Sequence, residues 1–237
     1  MTWNPEQYNR FRSERLAPFE DLVRWLKVRP GMKAVDLGCG PGELTRRLGT
    51  LLPESEVVGI DSSPEMIPKE PGFQLARIED LEGQYDLIFS HAALHWVDDH
   101  PALFSKLWAC LKPGGQLLVQ MPYNFDHPSH LAAARVAQSL GQPVREVPVL
   151  RVEDYARLLY DLGALETQVL VKVYPHVLAD ADAIVEWTKG TLLTAYTVTE
   201  AFLENYQAEV RRACPGSPVF YGFKRLLLSA EKPATSI

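Results

Sequence analysis

The sequence contains few cysteines, no long apolar run and no excess of basic residues. Its 237 residues include only Cys39, Cys110 and Cys214, which lie far apart and have no CxxC or Cys/His ligand spacing. We therefore predict reduced thiols and no structural zinc. No apolar stretch reaches the roughly 20 residues of a membrane span, and charges occupy the place of a signal peptide's apolar core. These features predict a cytoplasmic protein without membrane contact.

The charge balance argues against a nucleic-acid partner. The chain carries 24 basic and 30 acidic residues, for a net charge of −6 and a pI near 5.6. A nucleic-acid-binding domain usually has a basic balance, and no Asn-Pro-Pro-Tyr run of the base-flipping kind follows the fourth predicted strand. The hydrophobic content of 46% is enough for one sizeable core. The charge says nothing about association, so both a monomer and a homodimer remain open.

The first half of the chain alternates short apolar strands with helical stretches, which is typical of a doubly wound α/β sheet. Ser62, Pro64 and Glu65 have the character of a helix start, so a short helix is predicted there. The five predicted strands are Lys33–Leu37, Glu56–Ile60, Phe73–Ile78, Tyr85–Ser90 and Gln116–Met121.

The second half adds helices and two more strands. Residues 166–177 and 219–230 are the predicted strands, which makes a seven-stranded, mostly parallel Rossmann-like sheet. The predicted helices cover 124–145, 152–162, 180–194 and 199–213. We divide the chain into an N-terminal helical segment (1–30), a Rossmann-like core (31–122), and helical cap insertions with the last two strands (123–237). The cap would cover the carboxyl ends of the strands, where ligands bind in such sheets.

A glycine-rich turn between the first strand and the first helix carries the strongest functional signal. In Val35-Asp36-Leu37-Gly38-Cys39-Gly40-Pro41-Gly42-Glu43, three glycines fall within five residues. Asp61 follows at the end of the second strand, where its carboxylate can accept both hydroxyls of a ribose. Such loops bind NAD, FAD or S-adenosylmethionine (SAM), or merely shape a tight turn.

The charges around this turn distinguish among those cofactors. Asp36 precedes the loop and Glu43 opens the helix, whereas a pyrophosphate prefers a helix amino terminus free of negative charge. A cofactor with an ammonium and a sulfonium suits these acids better, so SAM is favoured over a nicotinamide.

Longer segments resemble a known family. DLGCGPG, GIDSSPEMI, DLIFSHAALHW and LKPGGQLLVQMP together resemble a class I SAM-dependent methyltransferase. The opening WNPEQYNRFRSERLAPFEDL, with HAALHW and VQMPYN, looks like the trans-aconitate methyltransferase family. That resemblance implies transfer of the SAM methyl group to a carboxylate of a small organic acid, which gives a methyl ester and S-adenosylhomocysteine (SAH).

The resemblance also implies which residues bind the cofactor. An acid commonly stands where this chain has Arg77, so Glu79 is expected to substitute in recognising adenine. The implied contacts are Asp36, Gly38, Gly40 and Gly42 to the amino-acid end, Asp61 to the ribose, Ser62 and Met66 beside the adenosine, Ile78 and Glu79 beside the adenine, and His91 and Ala92 beneath the ring and sulfonium.

The expected chemistry needs little acid–base assistance. A carboxylate with a pKa near about 4 is already a nucleophile at neutral pH, and alignment behind the methyl group can supply most of the acceleration. His95 is the one candidate general base. The alternative is a hydrogen-bonded or packing histidine beside Trp96.

An anionic substrate calls for arginine, whose guanidinium matches a carboxylate. Of Arg10, Arg12, Arg15 and Arg225, the last two adjoin apolar residues and are favoured, although Arg15 could instead hold the SAM carboxylate. Family members carry an arginine where this chain has Thr194, which favours a substrate with fewer charges. The aromatic residues that could wall the site, or else belong to the core, are Trp3, Tyr8, Tyr123 and Trp187.

Three other functions remain open at this stage. A methyltransferase for an amine or hydroxyl would give a base-stable product. A protein that binds SAM without turnover would fit the Arg77 and Thr194 departures. A nicotinamide-dependent reductase would use the same glycine loop for another cofactor.

Overall fold

The computed structural model describes residues 12–144, 146–190 and 192–234, with seven strands in one mixed sheet. The sheet order is β3-β2-β1-β4-β5-β7-β6, in which β5 and β7 are antiparallel and the pairs from β3 to β5 are parallel. This confirms the predicted seven-stranded Rossmann-like fold. The strands are β1 (Lys33–Leu37), β2 (Glu56–Asp61), β3 (Phe73–Leu75), β4 (Tyr85–His91), β5 (Leu111–Pro122), β6 (Leu165–Leu178) and β7 (Val219–Glu231).

The α-helices follow the apolar periodicity of the sequence. Short 3₁₀ turns at Ile78–Asp80, Leu94–Trp96 and Leu192–Ala195 lie between the longer elements. Within the described ranges, none of the helices combines the length and hydropathy that a bilayer crossing requires. The helices are α1 (Arg12–Val23), α2 (Glu43–Leu51), α3 (His100–Ala109), α4 (Pro128–Ser139), α5 (Val152–Asp161), α6 (Ala181–Lys189) and α7 (Glu200–Ala213).

The strand order places a switch point at β1. Val35 pairs with Val58 of β2 on one side and with Ile88 of β4 on the other. The chain runs outward from β1 through β2 to β3 and then crosses to β4. In open α/β sheets a ligand crevice forms outside the carboxyl ends of the strands at such a point. The loops after β1, β2 and β4 therefore define the place for a site.

The predicted helix from Ser62 was wrong, because the structure has only a single turn there. The Ile67 amide donates to the Ser63 carbonyl at 3.1 Å, and the pattern then stops. Pro68 and Pro71 follow closely, and neither has an amide hydrogen to extend a helix. The third strand also ends earlier than predicted, at Leu75.

Two compact units are distinguished by their internal contacts. One comprises residues 13–122, 148–172 and those from 225 onward, and the other comprises the described parts of 123–147 and 173–224. Each has a core of its own: Phe19 and Leu118 lie in the first, Phe202 and Tyr221 in the second. Helix α1 from Ser13 on therefore groups with the sheet. The predicted division at residues 30 and 122 stays a prediction.

The cysteines take no part in cross-linking. Cys39, Cys110 and Cys214 are buried free thiols. In the part of the chain that the structure describes, no group of three metal-ligating side chains comes together.

Candidate functional site

The turn from β1 to α2 occupies the switch point. Gly42 is the residue before α2 and adopts a left-handed conformation, with φ of 76°. Gly38 and Gly40 have φ of 72° and 54°, so all three glycines occupy a region that other residues adopt at a cost. Each glycine of the sequence motif thus stands at a position of the turn where φ is positive.

Gly38 is required for a second reason, which is a close approach. A Cβ atom added to Gly38 would lie 2.2 Å from the Cβ of Ala93, which follows β4. The amides of Gly38 and Cys39 both donate to the Ile60 carbonyl, at 2.8 and 2.9 Å. The loop is therefore held against the carboxyl ends of β2 and β4.

Asp61 connects the loop after β1 with the loop after β2. One carboxylate oxygen accepts from the Gly40 amide and the other from the Ser63 amide, each at 2.8 Å. A carboxylate oxygen accepts more than one hydrogen bond, so Asp61 retains acceptor capacity for ribose hydroxyls. Met66 also reaches the loop, since its Cε would lie 3.6 Å from a Cβ on Gly40. Ser62, which follows Asp61 in the chain, is exposed.

Asp36 is buried beneath the loop rather than exposed on it. Its side chain is 2% exposed and accepts a 2.6 Å hydrogen bond from the Thr45 hydroxyl. Burial raises the pKa of Asp36 to about 7, the Thr45 bond opposes that rise, and the Asp61 charge adds to it. The loop therefore carries less negative charge near neutral pH than the sequence suggests.

This burial predicts a pH-dependent stability. A carboxyl group whose pKa rises from 3.8 to about 7 on folding stabilises the fold at low pH, and that stability is lost as the pH rises to about 7. The free energy of unfolding of Asp36→Asn relative to wild type should rise by about 2–3 kcal/mol between pH 5 and pH 8. Urea denaturation of both proteins at these pH values measures the difference. Parallel pH curves would show that Asp36 remains ionised in the fold.

Of the two residues expected at the adenine, Ile78 lies beside the same loop. Ile78 is buried, and its Cδ1 would lie 3.7 Å from a Cβ on Gly38. Glu79 forms an ion pair with Arg77, which lowers the pKa of Glu79, and the Glu79 carbonyl accepts from the Lys106 ammonium. Arg77 thus pairs with the acid that was expected to replace the family acid at position 77.

The end of β4 contributes polar and aromatic groups. His91 is 8% exposed and meets the Phe19 ring edge-on, with the ring centres 6.3 Å apart. Ala92 has a positive φ of 56°, and its amide donates to the Gln120 carbonyl at 2.9 Å. His95 lies against Trp96 with ring centres 4.8 Å apart. This contact is the one expected of a packing histidine, and the catalytic role of His95 stays a prediction.

Comparisons with known proteins bear on this site. A family model described as a methyltransferase domain matches residues 8–165. A relative from Deinococcus radiodurans named trans-aconitate 2-methyltransferase is 41% identical, over 98% of this chain and 99% of its own. One of the same name from Variovorax paradoxus is 34% identical, over 99% of this chain and all of its own.

The chain belongs to the trans-aconitate methyltransferase family. It is a SAM-dependent methyltransferase, with SAH as the second product. The crystal structure of YcgJ from Bacillus subtilis has the same fold: its TM-score is 0.64 at 15% identity, with 92% of this chain and 99% of that one covered. The glycine loop and Asp61 of this methyltransferase stand at the switch point, the place where open α/β sheets bind their ligands.

The structure gives different surroundings to three residues that were predicted to contact the substrate of the methyltransferase. Arg225 lies in β7 opposite Pro122 and is 6% exposed. In the second unit, Tyr123 packs on Phe125, with ring centres 5.6 Å apart. Trp187 is buried there among the rings of His176, Tyr221 and Phe223, as a core residue is.

Other predicted residues of the methyltransferase lie wholly or partly outside the described part of the structure. Trp3, Tyr8 and Arg10 lie outside the described residues. Arg12 and Arg15 belong to α1, and Thr194 to the 3₁₀ turn Leu192–Ala195, but their side chains are outside the described part.

Two supporting residues of the methyltransferase site were missed in the sequence. Thr45 supplies the hydroxyl that pairs with Asp36, and Ala93 is small enough to lie against Gly38. A hydroxyl in the first turn of α2 and an alanine pair after β4 are visible in the sequence. Neither pattern is specific enough to predict the contact.

Proposed function

We propose that this methyltransferase transfers the SAM methyl group to a carboxylate oxygen of a small polycarboxylic acid of the trans-aconitate kind. The full-length similarity to relatives of that name carries the proposal. The buried guanidinium of Arg225 supports it, because a buried arginine beside a ligand crevice suits a carboxylate.

The chain's part in this reaction is binding and alignment. SAM supplies an electrophilic methyl group on its sulfonium. The turn at Gly38–Gly42 and the Asp61 carboxylate hold the cofactor at the switch point, and Arg225 attracts and orients the acid. The substrate carboxylate is ionised at neutral pH and attacks as it stands, so no protein base has to remove a proton. The two products are a methyl ester and SAH.

The proposal predicts a dependence of turnover on free carboxylates. Trans-aconitate should be methylated with a kcat/KM about 10-fold or more above a monocarboxylate of similar length, because each charge-assisted hydrogen bond adds roughly 1.5–3 kcal/mol. Steady-state kinetics with methyl-labelled SAM and acids of one, two and three carboxylates measures this. The trimethyl ester of trans-aconitate, which has no free carboxylate, is the matched control and should accept no label.

Two results would contradict the proposal. Base-stable label on an amine or alcohol, with none on any acid, would show another acceptor class. SAH binding without turnover of any acid in the panel would keep the cofactor and remove the proposed substrate.

A further inference from the structure

One polar side chain interrupts the apolar core of β5. Within Leu117–Met121 every residue is apolar except Gln120, which has no exposed surface. Neither its Nε2 nor its Oε1 has a hydrogen-bond partner among the residues that the structure describes. Gln120 is thus a fully buried amide with two unmet hydrogen-bonding atoms.

Gln116, four residues earlier on the same strand, behaves differently. Its Oε1 accepts from the Lys27 amide at 3.2 Å, and its Nε2 donates to the Trp25 carbonyl at 2.7 Å. Gln116 is 5% exposed, so its burial resembles that of Gln120. Burying an amide without partners costs free energy, and most buried polar groups in folded proteins are paired. The exception at Gln120 therefore calls for a partner that the described residues do not supply.

The position of Gln120 indicates where that partner would lie. Gln120 pairs with His91, at the carboxyl end of β4, and with Leu227 of β7. Arg225 is two residues from Leu227 and so projects from the same face of the sheet, since side chains alternate along a strand. Three buried polar side chains, those of His91, Gln120 and Arg225, thus line one face of the sheet at the edge where β4 and β5 end. This is the edge at which ligands bind.

We propose that the Gln120 amide binds a carboxylate of the methyl-accepting acid, an inference that rests on the proposed function. The Nε2 group donates to a carboxylate oxygen, and Arg225 supplies the positive charge. The guanidinium has five N–H donors, enough to serve the acid and the Gln120 Oε1 together. Because the amide is sealed from solvent, the acid reaches it by displacing side chains that cover this face.

Replacement of each glutamine by methionine, which has a similar length and no amide, tests the assignment. Gln120→Met should lower kcat/KM for trans-aconitate by about 10- to 100-fold, mainly through KM. Its SAH dissociation constant should stay within about 2-fold of wild type, and its melting temperature should not fall, because an unpaired polar group is removed. Gln116→Met should show the reverse, with a lower melting temperature and kcat/KM within about 3-fold of wild type.

A charged variant adds a second measurement, the pH dependence of kcat/KM, which should not change if Gln120 only packs in the core. Gln120→Glu places an anion beside the acid, so its kcat/KM should fall further than that of Gln120→Met and recover partly as the pH is lowered. If Gln120→Met keeps the wild-type kcat/KM, or loses melting temperature and SAH affinity as it loses activity, the assignment is overturned.

The wild-type protein separates the two proposals. Turnover of trans-aconitate by wild type and Gln120→Met alike would refute the role of Gln120 and leave the proposed function standing. A wild-type protein that binds SAH but methylates no acid would overturn both.

Discussion

Gly38→Ala is expected to destabilise the methyltransferase by about 2–5 kcal/mol and to weaken SAH binding roughly 100-fold. The added methyl group would lie 2.2 Å from the Ala93 Cβ, which is too short for two carbon atoms that are not bonded to each other. Both atoms belong to backbone-anchored groups, so the loop must move away from β4. Displacement of about 1 Å in a preorganised site costs on the order of 100-fold. Urea denaturation and calorimetric titration with SAH measure the two effects.

Gly31→Ala is the matched control for this experiment. Gly31 has nearly the same φ as Gly38, 71° against 72°, but a Cβ atom there would meet nothing within 4 Å. Its substitution carries only the cost of the left-handed backbone, about 1–2 kcal/mol, and should leave SAH affinity unchanged. If both variants lose the same stability and keep SAH affinity, the close approach at Ala93 does not shape the site.

Asp61→Ala is expected to weaken SAH binding by at least about 100-fold, because the ribose hydroxyls would lose the carboxylate that is proposed to accept from them. The same change leaves the amides of Gly40 and Ser63 without their 2.8 Å hydrogen bonds. We expect this to lower the free energy of unfolding by about 1–3 kcal/mol. Titration with SAH and chemical denaturation separate the two losses.

Asp86→Ala controls for the structural part of that loss. Asp86 likewise accepts from a backbone amide, that of Lys33 at 2.9 Å, and also from the Lys112 ammonium. It stands near the amino ends of β1 and β4, away from the switch point. The variant should lose comparable stability and keep its SAH affinity. Equal SAH affinities for Asp61→Ala and wild type would remove Asp61 from the cofactor site.

The strands of the sheet and the cofactor loop were predictable from local sequence. Short apolar runs such as Lys33–Leu37 have one plausible structure when turns and amphipathic helices flank them. The cofactor loop was predictable from its three glycines, because the backbone has a positive φ at each of them and few other residues adopt that conformation. Asp61 was predictable because it directly follows the apolar run of a strand.

Other features depend on contacts that local sequence does not encode. Trp187 could belong to a binding site or to a core, and only the packing of His176, Tyr221 and Phe223 around it shows a core position. An aromatic residue serves both roles equally well, so its type alone could not decide.

The polar residues beneath the loop illustrate the same limit. Asp36 is recognisable from its place before the glycines, but its burial and its bond to Thr45 depend on how α2 packs. Gln120 could have been noticed as the one polar residue within Leu117–Met121. Among the described residues it has no hydrogen-bond partner, in contrast to Gln116, and this difference depends on which backbone groups reach each amide.

The destination of the methyl group tests the central claim most directly. The protein is incubated with trans-aconitate and SAM carrying a ¹³C-labelled methyl group, and the product is followed by nuclear magnetic resonance before and after mild base. We predict a ¹³C methyl ester that base converts to ¹³C-methanol and trans-aconitate. Label in a base-stable product, or no transfer of label by a protein that still binds SAH, would contradict methylation of a carboxylate.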